Sequence, residues 1–191
     1  MNKLIAAIQH HYQVTTSFKA NFKEQITPAG GLRKYREGVV YIQKPGKMRW
    51  EFAAPEQQTI VSDGITLYSY EPDLNQVIET PLKQALRSSG ATSFLLGMGD
   101  IRRDFDASLP SNPSSDSLRH IILRPRGGKD RIEFAVDPKT YDISALILTD
   151  QLGDVTELKF DHFQDNIELA DSLFTFTVPA GADIVKQPSP T

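Results

Sequence analysis

Cysteine is absent from the 191 residues, which excludes disulfides, thiolate metal sites and a cysteine nucleophile. The compartment stays open, because a cysteine-free chain works in oxidising and reducing surroundings alike. No stretch approaches the roughly 18–20 apolar residues of a membrane-spanning helix. A basic excess is missing too. Lys and Arg total 21 against 24 Asp and Glu, a net charge of −3, so the electrostatic footprint of a nucleic-acid partner is not there. Tryptophan occurs once, at Trp50.

Catalytic patterns are equally scarce. His10, His11, His120 and His162 form neither H-E-x-x-H nor H-x-H spacing. On a helix His10 and His11 point about 100° apart, which suits solvated or capping roles better than a shared metal. There is no G-x-S-x-G elbow, and Gly97-Met98-Gly99-Asp100 lacks the third glycine and the preceding strand of a dinucleotide site. Glu71 and Asp73 bracket a proline turn. Arg124, Arg126, Lys129 and Arg131 surround a hairpin tip, where a solvated turn competes with an anion site. The residues therefore assign no catalytic group, no metal and no cofactor.

What is present is a globular composition, 39% hydrophobic and 24% charged, in a length that suits one domain over residues 1–191. Met1 to Ile8 imitates a signal peptide, but the apolar run stops at Gln9, short of the roughly 7–15 residues of a signal core. It reads as an amphipathic helix with Leu4, Ile5, Ile8 and Tyr12 on one face; the signal of an exported protein would then be absent from this chain. From Thr16 the period becomes two. Phe18, Ala20, Phe22 and Ile26 alternate with polar residues, followed by strands over 35–43, 48–52, 59–62, 65–70 and 75–79, a meander joined by tight turns such as Asp63-Gly64. Residues 81–106 carry helical spacing cut by Gly90, Gly97 and Gly99. Residues 106–117 predict a mobile loop. Strands resume over 118–124, 131–136, 143–149 and 155–160, with a last one over 174–178 and a frayed tail over 186–191.

About ten to eleven antiparallel strands in series must curl or close, since a flat sheet that wide exposes a large apolar face. The fold class is thus mainly β (α+β): an incomplete, strongly curved antiparallel barrel, with the N-terminal helix and the short helices as a lid. Large apolar residues collect on both parts. The sheet supplies Phe18, Phe22, Met48, Trp50, Phe52, Leu67, Tyr68 and Tyr70, and the helical insert supplies Phe94, Leu95, Leu96 and Met98. An ordinary filled core and a lidded apolar cavity for a lipid ligand both fit this pattern.

Five segments, in order, resemble the LolA-type outer-membrane lipoprotein carrier family. They are 17–25 with Ser17-Phe18-Lys19-Ala20; 38–52 with Lys44-Pro45-Gly46 and Arg49-Trp50; 55–72 with Ser62-Asp63-Gly64; Ser93-Phe94-Leu95-Leu96; and 174–185 with Phe174-Thr175-Phe176. The resemblance implies an open barrel with a helical lid, and a periplasmic monomer that binds acylated lipoproteins. Its partners would be an inner-membrane ABC transporter as donor and an outer-membrane receptor as acceptor. Phe18, Trp50, Phe94, Leu95 and Leu96 would line the cavity or its lid. It also implies lid control at Lys44, where the family carries an arginine that bonds to the lid. Lysine lacks the five-donor planar fork, and a solvated surface lysine is the alternative there. A receptor of the same fold would be anchored through an N-terminal cysteine, and a lipid-sensing regulatory domain normally has a second domain.

Overall fold

The computed structural model describes residues 1–187 except Ser89 and Pro113, so the predicted frayed tail falls mostly outside the described residues. Helix α1 (Asn2–Val14) leads into β1 (Ser17–Thr27), β2 (Lys34–Gln43), β3 (Lys47–Phe52), β4 (Gln58–Asp63), β5 (Thr66–Glu71) and β6 (Gln76–Pro81). The insert follows as α2 (Leu82–Ala85), α3 (Gly90–Leu95) and α4 (Ile101–Asp104). The chain then forms β7 (Phe105–Ser108), β8 (Arg119–Pro125), β9 (Arg131–Val136), β10 (Ile143–Thr149), β11 (Val155–Asp165) and β12 (Asp183–Lys186).

All twelve described strands join one sheet in the order β12-β6-β5-β4-β3-β2-β1-β11-β10-β9-β8-β7. Hairpin neighbours pair throughout, and the join between β1 and β11 unites the two runs of strands. The terminal strands β12 and β7 remain edges, so the barrel is curved and unclosed. Gly38 marks a close approach within the sheet. A Cβ there would stand 1.9 Å from the Glu51 carbonyl oxygen and 2.9 Å from the Phe22 ring, so only glycine lets β2 press this closely on its neighbours.

Register fixes which side chains face inward. Ala20, Val40, Trp50, Ile60 and Ser69 form one cross-strand row, and Phe160, Phe22, Gly38, Phe52 and Gln58 form the next. These rows belong to the concave face, where the main core lies. The opposite parity, Arg49, Val61 and Tyr68, faces outward. A smaller core sits on that side, because Phe174, Val61 and Val77 are buried beneath the C-terminal segment.

Three sequence expectations change here. Phe174–Val178 alternates like a strand, yet Asp171–Phe174 is a 3₁₀ turn and 175–178 pairs with nothing in the sheet. Its alternating side chains cover the outer face instead, Phe176 stacking 5.3 Å from Tyr68. The last strand is β12, and it runs parallel to β6, so Lys186 is paired rather than frayed. Within the predicted loop 106–117, Asp106 to Ser108 belongs to β7, which pairs with β8.

Candidate functional site

The concave wall and the helical insert meet face to face. Phe18, Phe22, Met48 and Phe52 on the wall are buried, as are Phe94, Leu95 and Leu96 on the insert. Phe94 lies 5.2 Å from Tyr12 and 5.8 Å from Phe134, ring to ring. The insert thus fills the interior with its own side chains. Trp50 and Leu67 are half-buried against this core, and Trp50 sits 4.9 Å from Phe22 and 6.1 Å from Phe160.

Two predicted lining residues stand elsewhere. Tyr68 belongs to the outward parity and stacks on Phe176, a correction that the period of two already demanded, since Leu67 and Tyr68 are adjacent on one strand. Met98 follows the helix end and is 39% exposed. It lines a cleft of about 400 Å³ between α1 and the insert, together with Tyr12, Lys44, Phe94 and Gly97. Sequence reasoning missed Phe134, Leu158 and Phe160 as parts of the wall, although alternation along β9 and β11 carries that signal.

Local chemistry explains the lid's shape. Gly97 N–H donates to the Phe94 carbonyl and Met98 N–H to the Ser93 carbonyl, the double bond pattern of a Schellman ending. Gly97 adopts φ +71°, and a Cβ there would come 2.8 Å from Lys44 Cδ. Asp100 then caps α4 by accepting from the backbone N–H of Arg102 and Arg103. The insert is tied down between α3 and α4: Gly46 N–H donates to the Leu96 carbonyl at 3.3 Å, and Ile101 N–H donates to Gln9 Oε1 at 2.9 Å.

Lys44 is the joint between helix and lid. Its Nζ donates to the Tyr12 carbonyl, an acceptor in the last turn of α1 that intrahelical bonding leaves open. Its ammonium is 5.0 Å from the Tyr12 ring, and its stem passes against Gly97. Burial lowers its pKa to about 8, opposed by the charge of Asp165. The lysine is therefore half-buried and bonded to the chain, not a solvated surface residue.

A second fastening holds the same turn of α1. His11 Nε2 contacts Asp142 Oδ1 at 2.9 Å and Asp165 Oδ2 at 3.8 Å, and the Tyr12 hydroxyl accepts from Ile143 N–H at 3.1 Å. Burial works against the Asp142 charge, but the hydrogen bond from His11 holds its carboxyl below the usual range. Burial and the neighbouring Asp142 push Asp165 the other way. His11 is thus a clamp between α1 and the sheet rather than a solvated residue. These three side chains are the one group of metal-ligand type found among the described residues, and the direct pair between His11 and Asp142 accounts for its geometry. At the hairpin tip, Arg126 pairs with Asp106 at 3.3 Å and Arg131 with Glu133 at 2.6 Å, so two of the four cations have carboxylate partners.

The family model described as "Outer membrane lipoprotein carrier protein LolA" matches residues 13–177. An outer-membrane lipoprotein carrier protein of Methylobacillus flagellatus is 35% identical over 185 residues, covering 95% of this chain and 88% of that one. Among solved structures, a LolA superfamily protein of Nitrosomonas europaea superposes with TM-score 0.52 at 16% identity, over 92% of this chain and 97% of the other. An uncharacterised conserved protein of Thermus thermophilus gives TM-score 0.62 at 15% identity, over 97% and 98%. At such identities the two structures speak for the fold alone. No helix among the described residues is long and apolar enough to cross a membrane.

Proposed function

The chain belongs to the LolA family of outer-membrane lipoprotein carriers, and on that premise we propose that its curved sheet holds the acyl chains of lipoproteins and carries them across the periplasm. The observation that carries this reading is the meeting of an apolar concave wall with an apolar lid, Phe94-Leu95-Leu96, fastened by hydrogen bonds at Leu96 and Ile101. Cargo would come from an inner-membrane ABC transporter and go to an outer-membrane receptor where one exists, with the carrier a monomer between them. The family is one of carriers, and the reading gives no residue a catalytic role. The names of the relatives do not favour a receptor or a sensing domain.

Energetics fit a carrier that must also let go. A sixteen-carbon acyl chain left in water costs on the order of 12 kcal/mol at about 0.8 kcal/mol per CH₂. Phe94, Leu95 and Leu96 are buried now, and exposing three such side chains costs roughly 5–9 kcal/mol. If the incoming chain displaces them, about half of its gain is offset and transfer stays reversible. Lys44 and the His11 clamp would then set how readily the lid and α1 separate from the wall.

Native mass spectrometry after incubation with a purified triacylated lipoprotein tests this, paired with emission from Trp50. The expected result is a one-to-one complex and a blue shift, because the acyl chain would dry the half-exposed face of Trp50. No complex and unchanged emission would show a permanently filled core.

A further inference from the structure

One row beyond the Phe22–Phe52 aromatics, the concave face changes chemistry. Glu24 and Arg36 are direct cross-strand neighbours on β1 and β2, and Leu158 pairs with Glu24 from the other side. The Arg36 guanidinium approaches Glu24 Oε2 to 2.6 Å through both Nε and Nη2, and Nη1 donates to Gln58 Oε1 at 2.8 Å. Gln58 donates onward to Ser69 Oγ at 3.0 Å. The guanidinium also stacks 4.1 Å from the centre of the Phe52 ring. Charged pairs held this far out of water gain little net stability, since desolvation offsets their attraction. This pair is 9% exposed at Glu24 and 20% at Arg36, and it stands where the apolar wall ends. Both residues line a rim cavity of about 290 Å³, with Tyr35, Ala53 and Pro55 beside them. By count, those contacts engage three of the five guanidinium N–H groups and leave two for another acceptor.

An acyl chain joins its polypeptide through ester or amide carbonyls, which accept hydrogen bonds. Drawn to the end of an apolar wall, such a carbonyl loses water and needs a protein donor to replace it. We infer that the Glu24–Arg36–Gln58 network recognises this lipid-to-peptide junction, with Arg36 donating to a carbonyl while Glu24 and Gln58 hold the guanidinium in place. The rim cavity takes the first polar atoms of the cargo beyond the acyl chain. The inference rests on the carrier reading and adds to it a means of telling an acylated peptide from plain hydrocarbon.

The test compares the protein with its Glu24→Gln/Arg36→Gln double variant, which removes both charges together and strands neither. Two probes are titrated: a synthetic dipalmitoylglyceryl-cysteinyl tetrapeptide, and diphenylhexatriene, which has no carbonyl. The double variant is expected to bind the lipopeptide about ten- to hundredfold more weakly, the worth of one charge-assisted hydrogen bond, and to bind diphenylhexatriene within about twofold of the unaltered protein. An unchanged lipopeptide affinity overturns the site. So does a parallel loss of both probes, which would make the pair an internal brace. Should the unaltered protein bind neither probe, the carrier reading itself fails and the site with it. Arg36→Lys guards against misfolding, because it keeps the ion pair and loses only the fork; it is expected to fold normally and lose about tenfold in lipopeptide affinity.

Discussion

Where β1 begins, Phe18, Ile42 and Met48 meet Tyr12, Phe94 and Leu96, and none of the six is more than 4% exposed. Toward the other end of the same sheet, Trp50, Ile60, Leu148 and Leu158 keep part of their surface in solvent, and the Glu24–Arg36 pair stands in the cross-strand row of Leu158. The first end is sealed by the chain's own side chains and fastened by Lys44, the His11 clamp and the bonds at Leu96 and Ile101. The second leaves an apolar wall and unspent donors available. An acyl chain reaching the first end must displace something; at the second it adds to what is there. A reversible carrier needs both, because displacement weakens binding and the open wall gives the cargo its first foothold.

The largest expected effect comes from breaking the sealed end. Phe94→Ala removes a fully buried ring between Tyr12 and Phe134 and is expected to cost about 3–5 kcal/mol, read as a lower urea midpoint. Ile60→Ala, at the open end, is expected to cost less than about 2 kcal/mol, since part of the side chain is already in water. Equal costs for the two would erase the contrast between the ends. Next in size is Gly38→Ala, at the point where both halves share the curvature. The Glu51 carbonyl that its methyl would meet is backbone and cannot swing aside, so a loss of about 3 kcal/mol is expected. Calorimetry that finds the Gly38→Ala protein as stable as the original would mean that the sheet does not need this close approach.

How much of this contrast the sequence discloses depends on the range of the interaction. The meander is legible because its signals are local: alternation along Phe18–Ile26, the Asp63-Gly64 turn, and the Gly97 that ends α3. The lid is legible because Phe94-Leu95-Leu96 is too apolar for a connector. The outer-face cover is not. Residues 174–178 alternate like a strand because an extended segment lying on a sheet also presents every second side chain, and β12 is a run of four exposed residues with no periodic mark. The His11–Asp142 contact spans 131 positions, and Glu24, Arg36 and Gln58 are ordinary strand polars until register sets them side by side. Tyr68 is different, since parity alone separates it from Leu67. There the information was local and only its application to both neighbours was at odds with the strand.

The smallest effect sharpens the comparison by isolating one fastening of the sealed end. Lys44→Met keeps the stem against Gly97 and removes the donor to the Tyr12 carbonyl, which is expected to cost about 1 kcal/mol at neutral pH. The pH dependence separates this loss from simple repacking. Lys44 has a folded pKa of about 8, whereas an unfolded lysine titrates near ~10.4. Between those values the unfolded chain binds more protons than the folded one, so stability contributed by this group rises with pH across the window. The margin of the original protein over Lys44→Met should therefore widen from pH 8 to pH 10, by an amount that solvent access to the half-buried ammonium holds to the order of 1 kcal/mol. A margin that stays flat over that range would mean that the ammonium is fully hydrated in solution, and that the Tyr12 carbonyl and Gly97 do not hold it between helix and lid.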